Sequence, residues 1–158
     1  MRGTREAISV ALFNLLSGNQ QLTSLCKTIT RTPRIWTSVN DAEKPFLLLF
    51  KGGPATEHFD QPQAGRIALT KYIIHYNLWL YLTADPSGQN NAETVVNNIS
   101  DALDAAMQVN ASPPAFGERQ TLGGLVNNAW IDGGSEWGRE FEDQNLVVFW
   151  RISVETGI

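Results

Sequence analysis

Cysteine and histidine are nearly missing from this 158-residue chain, which has one cysteine, Cys26, and two histidines, His58 and His75. A single cysteine excludes an internal disulfide and any cysteine-rich zinc site, and Cys26, on an apolar helical stripe, reads as a small core hydrophobe rather than a nucleophile. No HxH, HExxH or clustered His/Cys/acid pattern points to a transition-metal site, and a histidine inside a strand pattern is most simply a hydrogen-bonded structural residue. Long apolar runs are also missing: Phe46 to Phe50 is among the longest, far below the ~20 residues a helix needs to cross a bilayer. The glycine-rich Lys51-Gly52-Gly53-Pro54 lacks the spacing and the Lys-Ser/Thr ending of a phosphate loop, so it reads as a turn, and no Gly-x-Ser-x-Gly elbow occurs. The start of the chain leads into an amphipathic helix without the apolar stretch of a secretory signal, and a cytoplasmic product is the expectation.

What is present is ordinary globular composition, 42% hydrophobic and 18% charged, at a length that fits one domain, residues 1–158. Thr4 can cap a first helix, with Glu6 in its positive first turn and Ala7, Ile8, Ala11, Leu12, Leu15 and Leu16 at helical spacing until Ser17-Gly18. Asn19 to Cys26 suits a short second helix that stops before Thr32-Pro33. Pro45 introduces a buried strand at Phe46 to Phe50, and the turn residues of 51–65 then predict a long loop. From Arg66 to Thr83 the apolar side chains occupy both faces: Tyr72, Ile74, Tyr76, Leu78, Leu80 and Leu82 on one, Ile67, Leu69, Ile73, Trp79 and Tyr81 on the other. An amphipathic helix follows at Asn91 to Met107, then strands at Thr121 to Ile131, Glu136 to Phe141 and Asn145 to Glu155, with Gly133-Gly134 turning between the first two.

The order αα-β-β-α-βββ predicts an α+β fold, a mostly antiparallel sheet with two main helices packed on one face. The other face then lacks a cover. Ile73, Trp79, Val147 and Phe149 are the residues expected to stay there as an interaction patch, unless a folded-back loop or a second sheet closes over them. Residues 1–51 carry seven Lys/Arg against three acids and 132–158 carry two against six, within a net charge of −4. Such separation complements a partner or an identical subunit, or is simply solvated surface. Sequence-specific nucleic-acid binding is disfavoured by the net charge and the lack of a basic stripe. Glu140, Glu142 and Asp143, with Glu136, form the one acidic cluster, which reads as a solvated hairpin tip, as an acid–base pair without a visible substrate site, or as a surface that repels DNA phosphates. Of five tryptophans, Trp36 and Trp137 lie in polar or glycine-rich contexts where an aromatic can anchor an interface.

Four stretches in order resemble the tail terminator proteins of long-tailed bacteriophages, also called tail completion or minor tail proteins. Ala11 to Leu16 with Leu22-Thr23-Ser24-Leu25 is similar to the family's opening helices. Arg34-Ile35-Trp36 and then Lys44 to Leu49 resembles its step into a proline-led first strand. Tyr72 to Leu82, through Asp85 into Ala92 to Met107, is similar to its long strand and crossing helix, and Ala129 to Gly133 with Asp143 to Val148 to its closing strands.

The resemblance implies a non-enzymatic virion subunit, assembled in the host cytoplasm, without catalytic, metal or cofactor residues. Its expected partners are further copies of itself in a ring, typically six-fold, the tail tube protein, and a neck or head-completion protein. DNA would pass through the ring without sequence-specific binding, and no membrane is involved. The expected interface residues are Arg34, Trp36, Glu57, His58, Phe59 and Trp137, and the expected channel-facing acids Glu140, Glu142 and Asp143. The alternatives are a head–tail joining protein of the neck and, from another class, a small ligand-binding or enzymatic domain using the acidic cluster with His58 or His75.

Overall fold

Thr4 opens the first helix, α1 (Arg5–Ser17), by accepting the Ala7 backbone N–H on its hydroxyl oxygen at 3.1 Å. Asn19 does the same for α2 (Gln20–Leu25), accepting from Leu22 N–H at 3.0 Å. In a computed structural model the fold is described for residues 3–51, 57–60, 71–83, 92–108, 119–132, 136–139 and 145–157. The predicted turns and strand ends at 61–70, 84–91, 133–135 and 140–144 lie outside them, as do Ile67 and Leu69.

Among the described residues the strands are β1 (Thr28–Thr30), β2 (Phe46–Phe50), β3 (Glu57–Asp60), β4 (Lys71–Thr83), β5 (Asn128–Ile131), β6 (Glu136–Arg139) and β7 (Asn145–Gly157), and the third helix is α3 (Ala92–Met107). They form one sheet in the order β1-β2-β4-β7-β5, parallel only between β1 and β2. Its axis is the antiparallel pair of β4 and β7, matched residue by residue from Lys71↔Gly157 to Thr83↔Asn145.

Each outer edge of that pair is lined by two short strands in tandem. β2 runs along residues 77–81 of β4 and β3 along 71–74, while β5 runs along 152–155 of β7 and β6 along 146–149. Between Phe50 and Glu57 the chain has six residues where β4 has two, and between Ile131 and Glu136 it has four where β7 has two. Each edge is therefore one line of pairing interrupted by an insertion.

The predicted α+β class and helix placement hold. Ile8, Leu12 and Leu16 of α1, Leu22 of α2, and Val96, Ile99, Leu103 and Met107 of α3 are buried against the sheet face carrying Leu47, Leu49, Tyr72, Ile74, Tyr76, Leu78, Leu80 and Leu82. Val148, Trp150, Ile152 and Val154 of β7 complete that core, so alternate residues of both long strands meet the helices.

Two expectations need correction, and one short strand is added. The 51–65 loop contains β3, whose four residues pair with β4, so His58 is a strand residue opposite Ile73. A further short strand, β1, follows α2. The strand expected from Thr121 begins only at Asn128, because Leu122, Gly123 and Gly124 take positive φ (48°, 73° and 90°) and Val126 N–H returns to the Thr121 carbonyl at 3.2 Å. That tight turn puts Leu122 and Val126 into the core without strand pairing.

Candidate functional site

The sheet face away from the helices carries the candidate site, and its two ends differ in chemistry. At one end Phe46, Leu48, Tyr81 and Val147 are buried with Val39 in a second apolar cluster, against which half-buried Phe50 and Trp79 pack. The Phe46 and Tyr81 rings stack at 5.6 Å, and Trp79 makes edge or tilted contacts with Phe50, Tyr81 and Phe149 at 5.5, 6.4 and 6.5 Å. The cover comes from the chain itself: the segment before β2 crosses this end as a strap. A folded-back segment thus closes over part of the face expected to be bare, while Ile73, Trp79 and Phe149 stay half-buried.

Arg34 fastens the strap. Its guanidinium donates to both Glu43 carboxylate oxygens, at 2.7 and 3.2 Å, and to the Ser38 carbonyl, and its Cζ lies 5.4 Å from the centre of the Phe46 ring. The fork fits a carboxylate edge-on while the planar cation lies over an aromatic face, a combination a lysine cannot reproduce. The buried Tyr81 hydroxyl donates to the Arg34 carbonyl at 3.0 Å, and desolvation pushes that phenol above its usual pKa. The Arg34 guanidinium, together with the Asn40 backbone N–H at 2.9 Å, holds the Glu43 carboxyl below the usual carboxylate range. Lys44, which lies at the strap's end and is 7% exposed, binds Asp41 at 3.0 Å, and Asp41 also accepts from Thr83 on β4 at 3.1 Å. Both donors, Lys44 first, keep Asp41 ionised to lower pH than usual.

Between strap and sheet lies an open groove of about 420 Å³, lined chiefly by Pro33, Ile35, Leu48, Phe50, Trp79 and Tyr81. Ile35 is 71% exposed at its lip. Ile35 thus adds an exposed aliphatic side chain to the rim of an aromatic-lined groove.

The other end of the face is polar. His75 on β4 lies opposite Ser153 on β7, with Nδ1 2.8 Å from Oγ, and the fully buried Ser153 hydroxyl donates to Asp132 Oδ2 at 2.9 Å. The three residue types of a hydrolase triad are present, but in an order that does not activate a nucleophile. Nucleophilic attack needs the histidine as acceptor of the serine proton and the carboxylate behind the histidine. Here the serine proton is committed to the carboxylate, so His75 must be the donor to Oγ, and the buried serine is a structural bridge between β4, β7 and the end of β5. No group of three or more His, Cys, Asp or Glu among the described residues could hold a metal ion.

Of the residues expected at an interface, Arg34 lines the groove and Trp36 begins the short turn Trp36–Ser38 within the strap. Glu57, His58 and Phe59 pair in β3 with Ile74, Ile73 and Tyr72 at the opposite end of β4 from the groove, and Trp137 pairs in β6 with Val148. The side chains of Trp36, Glu57, His58, Phe59 and Trp137 lie outside the described structure, as do Glu140, Glu142 and Asp143 entirely. The expected set therefore does not gather at one place in the backbone. Sequence reasoning missed the roles of Tyr81, Phe46 and Glu43. The visible signal for the groove was Ile35, an aliphatic residue between Arg34 and Trp36 in an otherwise polar stretch. Neither a protein-family model nor a curated protein matches this chain.

Proposed function

We propose that this chain is a structural virion protein of the tail-terminator kind, a subunit that assembles into a ring, a hexamer, on the head-proximal end of a phage tail tube. Such a ring stops tube polymerisation and offers the surface to which the head or neck joins. The observation that supports the reading best is the aromatic groove with exposed Ile35 on the sheet face away from the helices. It supplies an apolar anchor for a protein neighbour, and an Arg34-fastened strap keeps it in shape before the neighbour arrives. The hydrogen-bond order through Ser153 speaks against the enzymatic alternative using His75. In this reading the groove meets a neighbouring subunit or the tube protein, and Glu140, Glu142 and Asp143 face the channel, where like charge keeps passing DNA from sticking.

The test is negative-stain imaging of the purified protein with and without tail tubes of the same virus. Rings capping one tube end are the expected result. A protein that ignores the tubes and binds the portal side belongs to the neck instead, and one that ignores both is not a tail or neck component.

A further inference from the structure

The strap between β1 and β2, residues 31–45, is attached to the molecule by polar contacts more than by packing. Among its described residues only Val39 and Lys44 are buried. Val39 joins the small apolar cluster on the face away from the helices, and no described strap residue joins the larger helix-side core. Both ends of the strap are pinned to elements of that core. Arg31 forks onto Glu6 of α1 at 3.0 and 3.1 Å, and β2, which follows Pro45, has Leu47 and Leu49 inside it. Between the ends, two carboxylates hold the strap down. Glu43 gathers it from within, through the Arg34 fork and the Asn40 backbone N–H, and Asp41 ties it to β4 through Thr83 while accepting from Lys44. The remaining tie to β4 is the Tyr81 hydroxyl on the Arg34 carbonyl. The side chains of Glu43 and Asp41 are 31% and 81% exposed, so protons from solvent reach both.

We infer that the strap is an acid-released cover: when Glu43 and Asp41 take up protons it leaves the sheet as a unit, uncovering Phe46, Leu48, Tyr81 and Val147, while the helix-side core stays folded. This is a property of the isolated chain, independent of the ring reading. Protonation turns charge-assisted bonds into weaker neutral ones. Arg34 then loses the partner that holds its guanidinium over Phe46, and Asp41 its firm bond to Thr83. Among the described residues, the charged and titratable groups facing the two carboxylates are Arg34, Lys44, Lys27 in the cleft that Asp41 lines, and, through the Arg34 carbonyl, the Tyr81 phenol. Arg34 keeps the folded Glu43 carboxyl below its usual range, and Lys44, then Thr83, does so for Asp41. The hold is therefore complete above the ordinary carboxylate range and is lost as pH falls through the lower folded values. Opening of this kind is local, because the residues that leave are separate from the helix-side core and the strap's ends stay pinned.

The experiment is amide hydrogen exchange of the free full chain at about pH 7 and about pH 3, read by mass spectrometry, with each rate divided by the intrinsic rate at that pH. The strap reports through the backbone N–H groups of Ser38, Glu43 and Lys44, which bond to the Ile35, Asn40 and Asp41 carbonyls at 2.9, 3.0 and 3.2 Å, and through Asn40 N–H on Glu43. Protection of these amides should fall roughly three- to tenfold in acid, the size expected from losing two exposed charge pairs. Protection along the β4–β7 pair should stay as it is. Glu43→Gln with Asp41→Asn imitates the protonated strap, so this variant should show the low protection already at neutral pH and lose no more in acid. Glu43→Gln alone should give part of the loss, with β4–β7 protection in each variant showing that the fold is intact. Strap protection that ignores pH, or that falls only together with β4–β7, overturns the inference. So does a double variant that keeps the wild-type pH dependence, since other groups would then be responsible.

Discussion

Replacing Ile35 with alanine separates the fold from the proposed interface, because its side chain lies at the lip of the groove and not inside the core. Burying a whole isoleucine side chain stabilises by ~1.5–3 kcal/mol. With 71% of Ile35 exposed in the isolated chain, a neighbour closing on the groove stands to gain about 1–2 kcal/mol from this residue. That is roughly 5–30-fold in each contact's equilibrium constant. Folding should hardly respond, since surface substitutions away from special features usually stay within about ±0.5 kcal/mol. Two titrations of Ile35→Ala against wild type decide the matter: the protein concentration at which half the tail tubes are capped, counted by negative stain, and the urea midpoint of the free chain. The capping midpoint should rise by about 5–30-fold while the urea midpoint stays put. Equal capping midpoints would refute the groove as an interface. A large fall in the urea midpoint would show instead that Ile35 supports the strap.

Tyr81→Phe removes the hydrogen bond to the Arg34 carbonyl and should cost about 0.5–1.5 kcal/mol in urea unfolding; no change would mean the strap does not depend on it. Leu12→Ala, at a fully buried α1 position facing the sheet, should cost ~2–5 kcal/mol, and a smaller loss would indicate that the core collapses around the gap. Because Arg34 depresses the folded-state pKa of Glu43 below its ordinary 4.5, the stability from this contact is present above pH 4.5 and drains away as pH falls through the lower folded value. Glu43→Gln should therefore flatten the acid limb of urea midpoint against pH, and an identical acid limb would dismiss the pair as a contributor. Burial pushes the Cys26 thiol up to about 12, so a thiol reagent at pH 8 should label the protein only after denaturation; fast labelling of the folded chain would contradict that burial.

Where local chemistry decides structure, the sequence was readable. Thr4 and Asn19 cap the helices whose starts they mark, and the two faces assigned along Tyr72 to Leu82 are the faces observed. What escaped depended on distant partners. The residues Glu57-His58-Phe59-Asp60 have no apolar alternation, and they form a strand because β4 extends beyond the end of β2 and offers unpaired backbone there. At 121–127 the apolar residues suggested a strand, but Gly123-Gly124 allowed a turn that buries the same side chains more directly. The groove was half legible: Arg34 could be picked out, but its bond to Glu43 and the docking of its carbonyl on Tyr81, 47 positions away, are products of the fold.

The tandem edge strands give the chain a rule of even numbers. Relative to their long partners, the insertion between β2 and β3 adds four residues and that between β5 and β6 adds two, so the pleat resumes in phase after each. Because side chains alternate with a period of two, removing or adding a single residue at either place would invert every position of β3 or β6 with respect to the two sides of the sheet, whereas a change of two would leave them as they are. These junctions are therefore places where length can vary in steps of two, and where an epitope or probe with an even number of residues can be inserted without rewriting the sheet.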